Sequence, residues 1–199
     1  MLFPDFTNKD KLNNIKIPDV GNWLIKIFDL WYEDKDMNKI KIDPFIDIIN
    51  LIFGNEDFGN EAFGRHTNGT LVIETDGSIE LVDTLKICEN GITKVNFNIF
   101  DNNLNDIYSN DLAKIFYYGN EILCNKCKQC FLSEVCGGGY IAHRYAGNSH
   151  FNHPTVYCKD MAILITHIQN RIFDDLPEKL KPKINKLEID EVIEYIQKN

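Results

Sequence analysis

The chain has no apolar run near the roughly 18 residues that a bilayer crossing needs, so no membrane span is expected. Its first residues, Met1 to Asn14, lack a basic stretch leading into an apolar block, which argues against a secretory signal. A basic stripe is missing too. The 21 Lys and Arg are outnumbered by 30 Asp and Glu, for a formal charge of -9. An acidic surface repels phosphate backbones, so nucleic-acid binding is disfavoured. The acidity is spread along the chain and reads as solvation, not as a functional tail. No internal repeat, Gly-rich phosphate loop, Ser nucleophile motif or paired-carboxylate constellation stands out. These absences predict a cytoplasmic protein. A reducing compartment disfavours structural disulfides, so the six cysteines need another explanation.

What is present suffices for a core. The 199 residues are 44% hydrophobic and 12% aromatic, and a chain of this size buries roughly 70% of its unfolded surface. The expected class is α+β: N-terminal helices, a small β-hairpin, an irregular cysteine-rich loop and C-terminal helices. Met1 to Phe3 reads as a short strand. Asp19 can cap a helix from Val20 to about Tyr32, with Val20, Trp23, Leu24, Ile27, Phe28 and Trp31 on one face. A second helix has Asp43 as cap, Pro44 at the first helical position and Gly54 as stop. Thr70–Thr75 and Ser78–Asp83 flank an Asp76-Gly77 turn and read as a hairpin. An Asn-rich segment, roughly 96–110, follows. A helix from about Asp111 to Tyr118 is capped by Ser109 or Asn110 and stopped by Gly119. Asp160 to about Phe173 is helical, Pro177 and Pro182 mark a linker, and a short amphipathic helix closes the chain.

Between Cys124 and Cys158 lie five thiols in a stretch with glycines and no periodicity, read as a loop. Cys124, Cys127 and Cys130 form a C-x2-C-x2-C run, with Cys136 and Cys158 downstream. A C-x2-C turn lets two sulfurs converge on one centre. A run of three points to a cuboidal cluster, whose iron corners need thiolates from different directions. Zinc prefers two separated C-x2-C pairs or Cys/His pairs, and Cys158 stands alone here. The spacing favours a cluster, with zinc and free or disulfide-bonded thiols as the alternatives. Metal binding would then be part of folding. Gly137-Gly138-Gly139 either aim N–H groups at the cluster or make a tight turn.

The stretch Val135-Cys136-Gly137-Gly138-Gly139-Tyr140-Ile141-Ala142-His143-Arg144-Tyr145, followed by Phe151-Asn152-His153-Pro154-Thr155-Val156-Tyr157-Cys158, resembles the C-terminal SPASM region of radical S-adenosylmethionine peptide maturases. The branch most similar forms cyclophane crosslinks in ribosomally made peptides. Residues Ile73 to Asp83 resemble the family's entry hairpin, and Trp23 to Trp31 a helix near the end of its catalytic barrel. The resemblance covers most of residues 1–165. It implies a remnant of a barrel end at 1–65, a SPASM-like domain at 66–165 and a helical tail at 166–199.

It also implies that Cys127, Cys130, Cys136 and Cys158 ligate an auxiliary [4Fe–4S] cluster. Complete SPASM domains carry a further cysteine for a second cluster where this chain has Tyr140. Their G-x4-C element ends where this chain has Asn96. Cys88 and Cys124 are the less certain ligands, for an incomplete second cluster. For Cys88 the competing reading is a buried free thiol. Radical S-adenosylmethionine enzymes also need a C-x3-C-x2-C triad, and none occurs in these residues. The expectation is therefore a protein with no catalytic residues of its own, which does not bind S-adenosylmethionine alone. It is the distal part of a split or truncated maturase. Its implied partners are a separately encoded barrel half and a precursor peptide. The rival is a structural zinc or peptide-binding module without a redox role.

His143-Arg144-Tyr145 is read as bracing the loop, with Arg144 satisfying buried carbonyls. The alternative is a proton, peptide or electron path beside the cluster. His150 and His153 read as loop surface. The Trp23/Trp31 helix reads mainly as core. Without a barrel, part of that face would stay uncovered and imply a partner.

Overall fold

The computed structural model describes residues 20–36, 40–65, 69–119, 122–181 and 186–198. The expected strand at Met1–Phe3, the Asp19 cap and His66 lie outside the described residues. The architecture is α+β, as expected, with a helical layer beside a three-stranded antiparallel sheet.

Helix α1 (Val20–Glu33) and helix α2 (Asp43–Ile52) pack with the long helix α6 (Cys158–Asp175) and the last helix α7 (Ile189–Lys198) around one apolar cluster. At its centre, Phe28, Phe45, Ile48, Ile165 and Ile168 are fully buried. Phe28 stacks on Tyr32 and meets Phe45 edge-on, so the aromatic side chains of α1 and α2 interlock. Polar contacts fix how α1 lies on α6. The Gly21 N–H donates to the Asp160 carboxylate at 2.6 Å, and His167 and Asp29 are 2.7 Å apart. Asp160, 139 residues away in sequence, therefore satisfies an early N–H of α1. A Cβ at Gly21 would come within 2.5 Å of Ile163, so only glycine allows this approach.

The periodicity argument placed Trp23 on the inward face of α1, and the structure corrects this. Trp23 is 61% exposed and Leu30 76%, and both lie on an outward stripe with Lys26. Positions i, i+3 and i+7 share a face whether or not that face is covered, so spacing alone could not distinguish the two. Trp31 does turn inward: it contacts Phe28 and Phe45 and donates its indole N–H to the Ile40 carbonyl. In α2, Ile42 occupies the cap position with no side-chain bond, and Asp43 is already helical. Its charge there complements the helix dipole instead of capping.

The sheet is ordered β1 (Leu71–Ile73), β2 (Ser78–Leu81), β3 (Lys94–Asn98). The first two form the expected hairpin, with Leu71 opposite Leu81 and Ile73 opposite Ile79. Asp76 accepts from the Ser78 N–H and hydroxyl, and Gly77 takes φ +80°. Strand β3 was not expected, and it lies partly in the segment read as Asn-rich. A bulge between Ile79 and Glu80 and a left-handed Asn96 (φ +60°) interrupt its alternation. Behind the sheet, Ile79, Leu81, Leu85, Val95, Ile107 and Phe116 form a second apolar cluster. Helix α3 (Asp111–Tyr117) closes it. The Asn110 side chain caps α3 by accepting from the Ala113 N–H at 3.1 Å.

The cysteine region is not the structureless loop that its sequence suggested. It contains helix α4 (Asn125–Gln129), helix α5 (Ser133–Cys136) and a 3-10 turn over Ile141–Arg144. Elements of four or five residues are shorter than the window in which periodicity can register.

Candidate metal centre

The spacing of Cys124, Cys127 and Cys130 becomes geometry through α4. Cys124 occupies its cap position, Cys127 lies within it, and Cys130 ends it with extended backbone. Cys136 ends α5, and Cys158 begins α6, which is anchored in the helical core. Three separate stretches of backbone, α4 with its cap, the end of α5 and the start of α6, thus present sulfur to one place. Cys127, Cys130, Cys136 and Cys158 line a single small cavity of about 30 Å³. These are the four residues singled out from the sequence.

The electrostatics show the same convergence. Burial pushes the Cys136 thiol up to about 12, and neighbouring Cys158 and Cys130 add to it, while the Gly138 and Gly139 N–H groups oppose the rise. Cys127 is pushed higher still, first by burial and then by Cys124, Cys136 and Cys158. Cys158 is raised by burial, against the pull of Lys126. Buried thiols that disfavour one another's ionisation stay protonated on their own, and a bound metal would reverse this by holding them as thiolates.

The tight-turn reading of the three glycines is what the backbone shows. Gly137, Gly138 and Gly139 have φ of +60°, +81° and +73°. Gly137 is the left-handed cap of α5, donating to the Ser133 carbonyl at 2.8 Å. The Gly139 N–H donates to the Cys136 carbonyl at 3.0 Å. A Cβ on Gly138 would lie 2.5 Å from Leu123, and one on Gly139 2.9 Å from Thr155.

The remaining cysteines separate. Cys124 lies beside Cys127 and Leu123 in a small buried cluster and is a fifth thiol next to the cavity. Cys88 packs against the sheet cluster, donates to the Ala142 carbonyl at 3.8 Å and is pushed up to about 11 by burial. Its surroundings are those of a buried thiol away from the other five. None of the six is disulfide-bonded. His150 is exposed, and His153 contacts Ser149.

Sequence reasoning did not anticipate the roof of the cavity. Tyr195 and Ile196 of α7 line it. Tyr195 donates its hydroxyl to the Gln129 carbonyl at 2.7 Å and meets Phe131 edge-on, while Lys126 bonds the Ile196 carbonyl. The amphipathic pattern of residues 189–198 predicted a buried face but not what it covers.

Among the described residues, no three His, Cys, Asp or Glu side chains stand close enough to hold a single metal ion. A tetrahedral zinc with sulfur ligands needs sulfurs roughly 3.8 Å apart. A cuboidal cluster places its thiolates on different iron atoms and so wants them spread around a cavity. The cysteines present fit such a cluster: four thiols, on three chain segments, line one cavity.

The chain shares its fold with radical SAM/SPASM enzymes. The solved structures are those of anSMEcpe, an anaerobic sulfatase-maturating enzyme of that class. The form with bound AdoMet and Kp18Cys peptide matches 92% of this chain and 48% of its own, with a TM-score of 0.63 and 21% identity. A second, with AdoMet alone, matches 77% of this chain and 41% of its own, with a TM-score of 0.59 and 20% identity. The present chain therefore spans less than half the length of these structures. No family model matches the sequence, and no curated protein does.

Proposed function

We propose that this protein carries a [4Fe–4S] cluster on Cys127, Cys130, Cys136 and Cys158 and acts as the auxiliary-cluster part of a radical S-adenosylmethionine peptide-modifying enzyme. The observation that supports this most directly is the meeting of four cysteines from three chain segments at one cavity. When bound, such a cluster supplies one-electron transfer at a potential set by burial and hydrogen bonding. The protein's own contribution is to hold the thiolates and cover the site with Tyr195 and Ile196.

The shared fold supports a peptide as the substrate class, since one neighbour was solved with a bound peptide. In this reading the peptide is a ribosomally made precursor, and cyclophane formation is the chemistry. The C-x3-C-x2-C barrel is supplied from outside these 199 residues. Its docking surface is the outward stripe of α1, where Trp23 and Leu30 lie bare. Residues 1–65 then correspond to the end of that barrel, 66–165 to the SPASM-like domain and 166–199 to the tail, with α6 joining the last two.

Anaerobic purification or reconstitution tests the assignment. The expected product is brown and contains iron and acid-labile sulfide in equal amounts, and Cys136→Ser loses most of both. Colourless protein with one zinc would establish the structural-module reading instead.

A further inference from the structure

Arg144 is among the most deeply buried side chains in the protein, 1% exposed. Its guanidinium donates to the carbonyls of Gly119 at 2.8 Å, Ile122 at 2.7 Å and Phe151 at 3.4 Å. These bonds explain how it braces the loop on both sides of the cysteines, as its sequence position suggested. They do not explain its charge. Carbonyls are neutral, and among the described residues no carboxylate pairs with Arg144. A buried, uncompensated cation costs about several kcal/mol. Its Nε is also buried and has no hydrogen-bond partner among the described residues.

The surroundings indicate what balances it. Burial pushes the Arg144 pKa down, and Cys127, Cys124 and Cys136 are near enough to oppose that fall. One guanidinium nitrogen lies 3.8 Å from where a Gly138 Cβ would be, and Gly138 lines the cavity together with Cys136. Leu123, next to the accepting Ile122, is in the same buried cluster as Cys124 and Cys127. Three carbonyls thus hold a permanent positive charge beside the cavity that Cys127, Cys130, Cys136 and Cys158 line, where Lys126 is a second cation.

We propose that Arg144 is a built-in counter-cation for the thiolate-bound cluster: a positioning residue that stabilises the assembled anionic centre and favours its reduced state. This rests on the cluster assignment above. Reduction adds one electron and one negative charge to the cluster. In the test below, that electron comes from a dithionite-reduced viologen, which returns to its oxidised form. A fixed positive charge nearby favours the more negative state.

The test compares wild type, Arg144→Lys and Arg144→Gln, each reconstituted with iron and sulfide and titrated against a viologen couple. Both variants lose the three-carbonyl fork, but only Lys retains the charge. At a fixed potential, Arg144→Gln should hold at least about tenfold less of its cluster reduced than Arg144→Lys, which is about 59 mV for one electron. Alternatively, Gln fails to load iron under conditions where Lys loads it, which equally supports the counter-charge. If both variants load with the same midpoint potential, or both fail to load, Arg144 acts only as a fork and the inference is overturned. A wild type that takes up no iron or sulfide overturns the cluster assignment and this inference together.

Discussion

The helical core and the cysteine region are held together by different means. Around Phe28, Phe45, Ile165 and Ile168, four helices bury a continuous apolar cluster. Burial of that kind stabilises by area, needs no ligand and tolerates modest change in shape. Between Cys124 and Cys158 the buried apolar residues are divided: Leu132 joins the helical cluster, Ile141, Ala142, Tyr145 and Phe151 join the sheet cluster, and Cys124 and Cys127 sit with Leu123. Around the thiols themselves, order comes from three left-handed glycines, backbone turns and one buried arginine. The first region is a scaffold. The second, on the cluster assignment proposed above, would take its remaining stability from the bound metal. They meet at Cys158, the first residue of α6, so the scaffold fixes one of the four proposed ligands outright.

The largest expected effect separates the two. Phe28→Ala should cost about 3–5 kcal/mol in urea unfolding, because it empties the aromatic centre of the helical cluster. The loss should be the same with and without iron. A loss confined to the iron-loaded form would show that the scaffold is not independent of the site. Next is Gly138→Ala. It forces a Cβ into Leu123 and an L-residue into the left-handed region, at about 1–2 kcal/mol for the backbone alone. Iron retention in a chelator challenge should fall much more than the stability of the apo protein; equal losses would erase the contrast. Asn110→Ala removes the α3 cap and should cost about 1 kcal/mol with iron content unchanged.

The smallest effect is that of pH on the sheet. The Thr93 hydroxyl, at 2.8 Å, and then the Lys86 ammonium hold the Glu80 carboxyl below the usual carboxylate range. A carboxylate lowered on folding contributes stability above its unfolded pKa of about 4.3. That contribution is lost as the pH falls through the lower folded value. Apo protein should therefore weaken below about pH 4 to 5, and Glu80→Gln should flatten that part of the curve. An unchanged slope in the variant would assign the acid sensitivity elsewhere.

The same division decides what could be read from the sequence. Helices α1, α2, α6 and α7 were legible because apolar residues recur at helical period over ten or more positions. The hairpin was legible because Asp76-Gly77 has turn chemistry of its own. Strand β3 was hidden by its bulge and by Asn96, which breaks the period-two pattern. The outward turn of Trp23 was hidden because period reports a face but not its cover. In the cysteine region, the family resemblance singled out Cys127, Cys130, Cys136 and Cys158, and these four line one cavity. The short helices that carry them, and the roof formed by Tyr195 and Ile196, depend on contacts across tens of residues that no local window contains.

That roof has a kinetic consequence. Helix α7 is ten residues long and holds the cavity side through Tyr195 on Gln129 and Lys126 on the Ile196 carbonyl. A short helix at the edge of a fold can open locally at a far lower free energy than the whole domain. Oxygen, chelators and small reductants would then gain entry at the pace of fraying in α7, while the aromatic scaffold around Phe28 remained folded. Bleaching of the brown colour would thus follow the opening of this last helix and run ahead of any loss of helical signal from the rest of the chain.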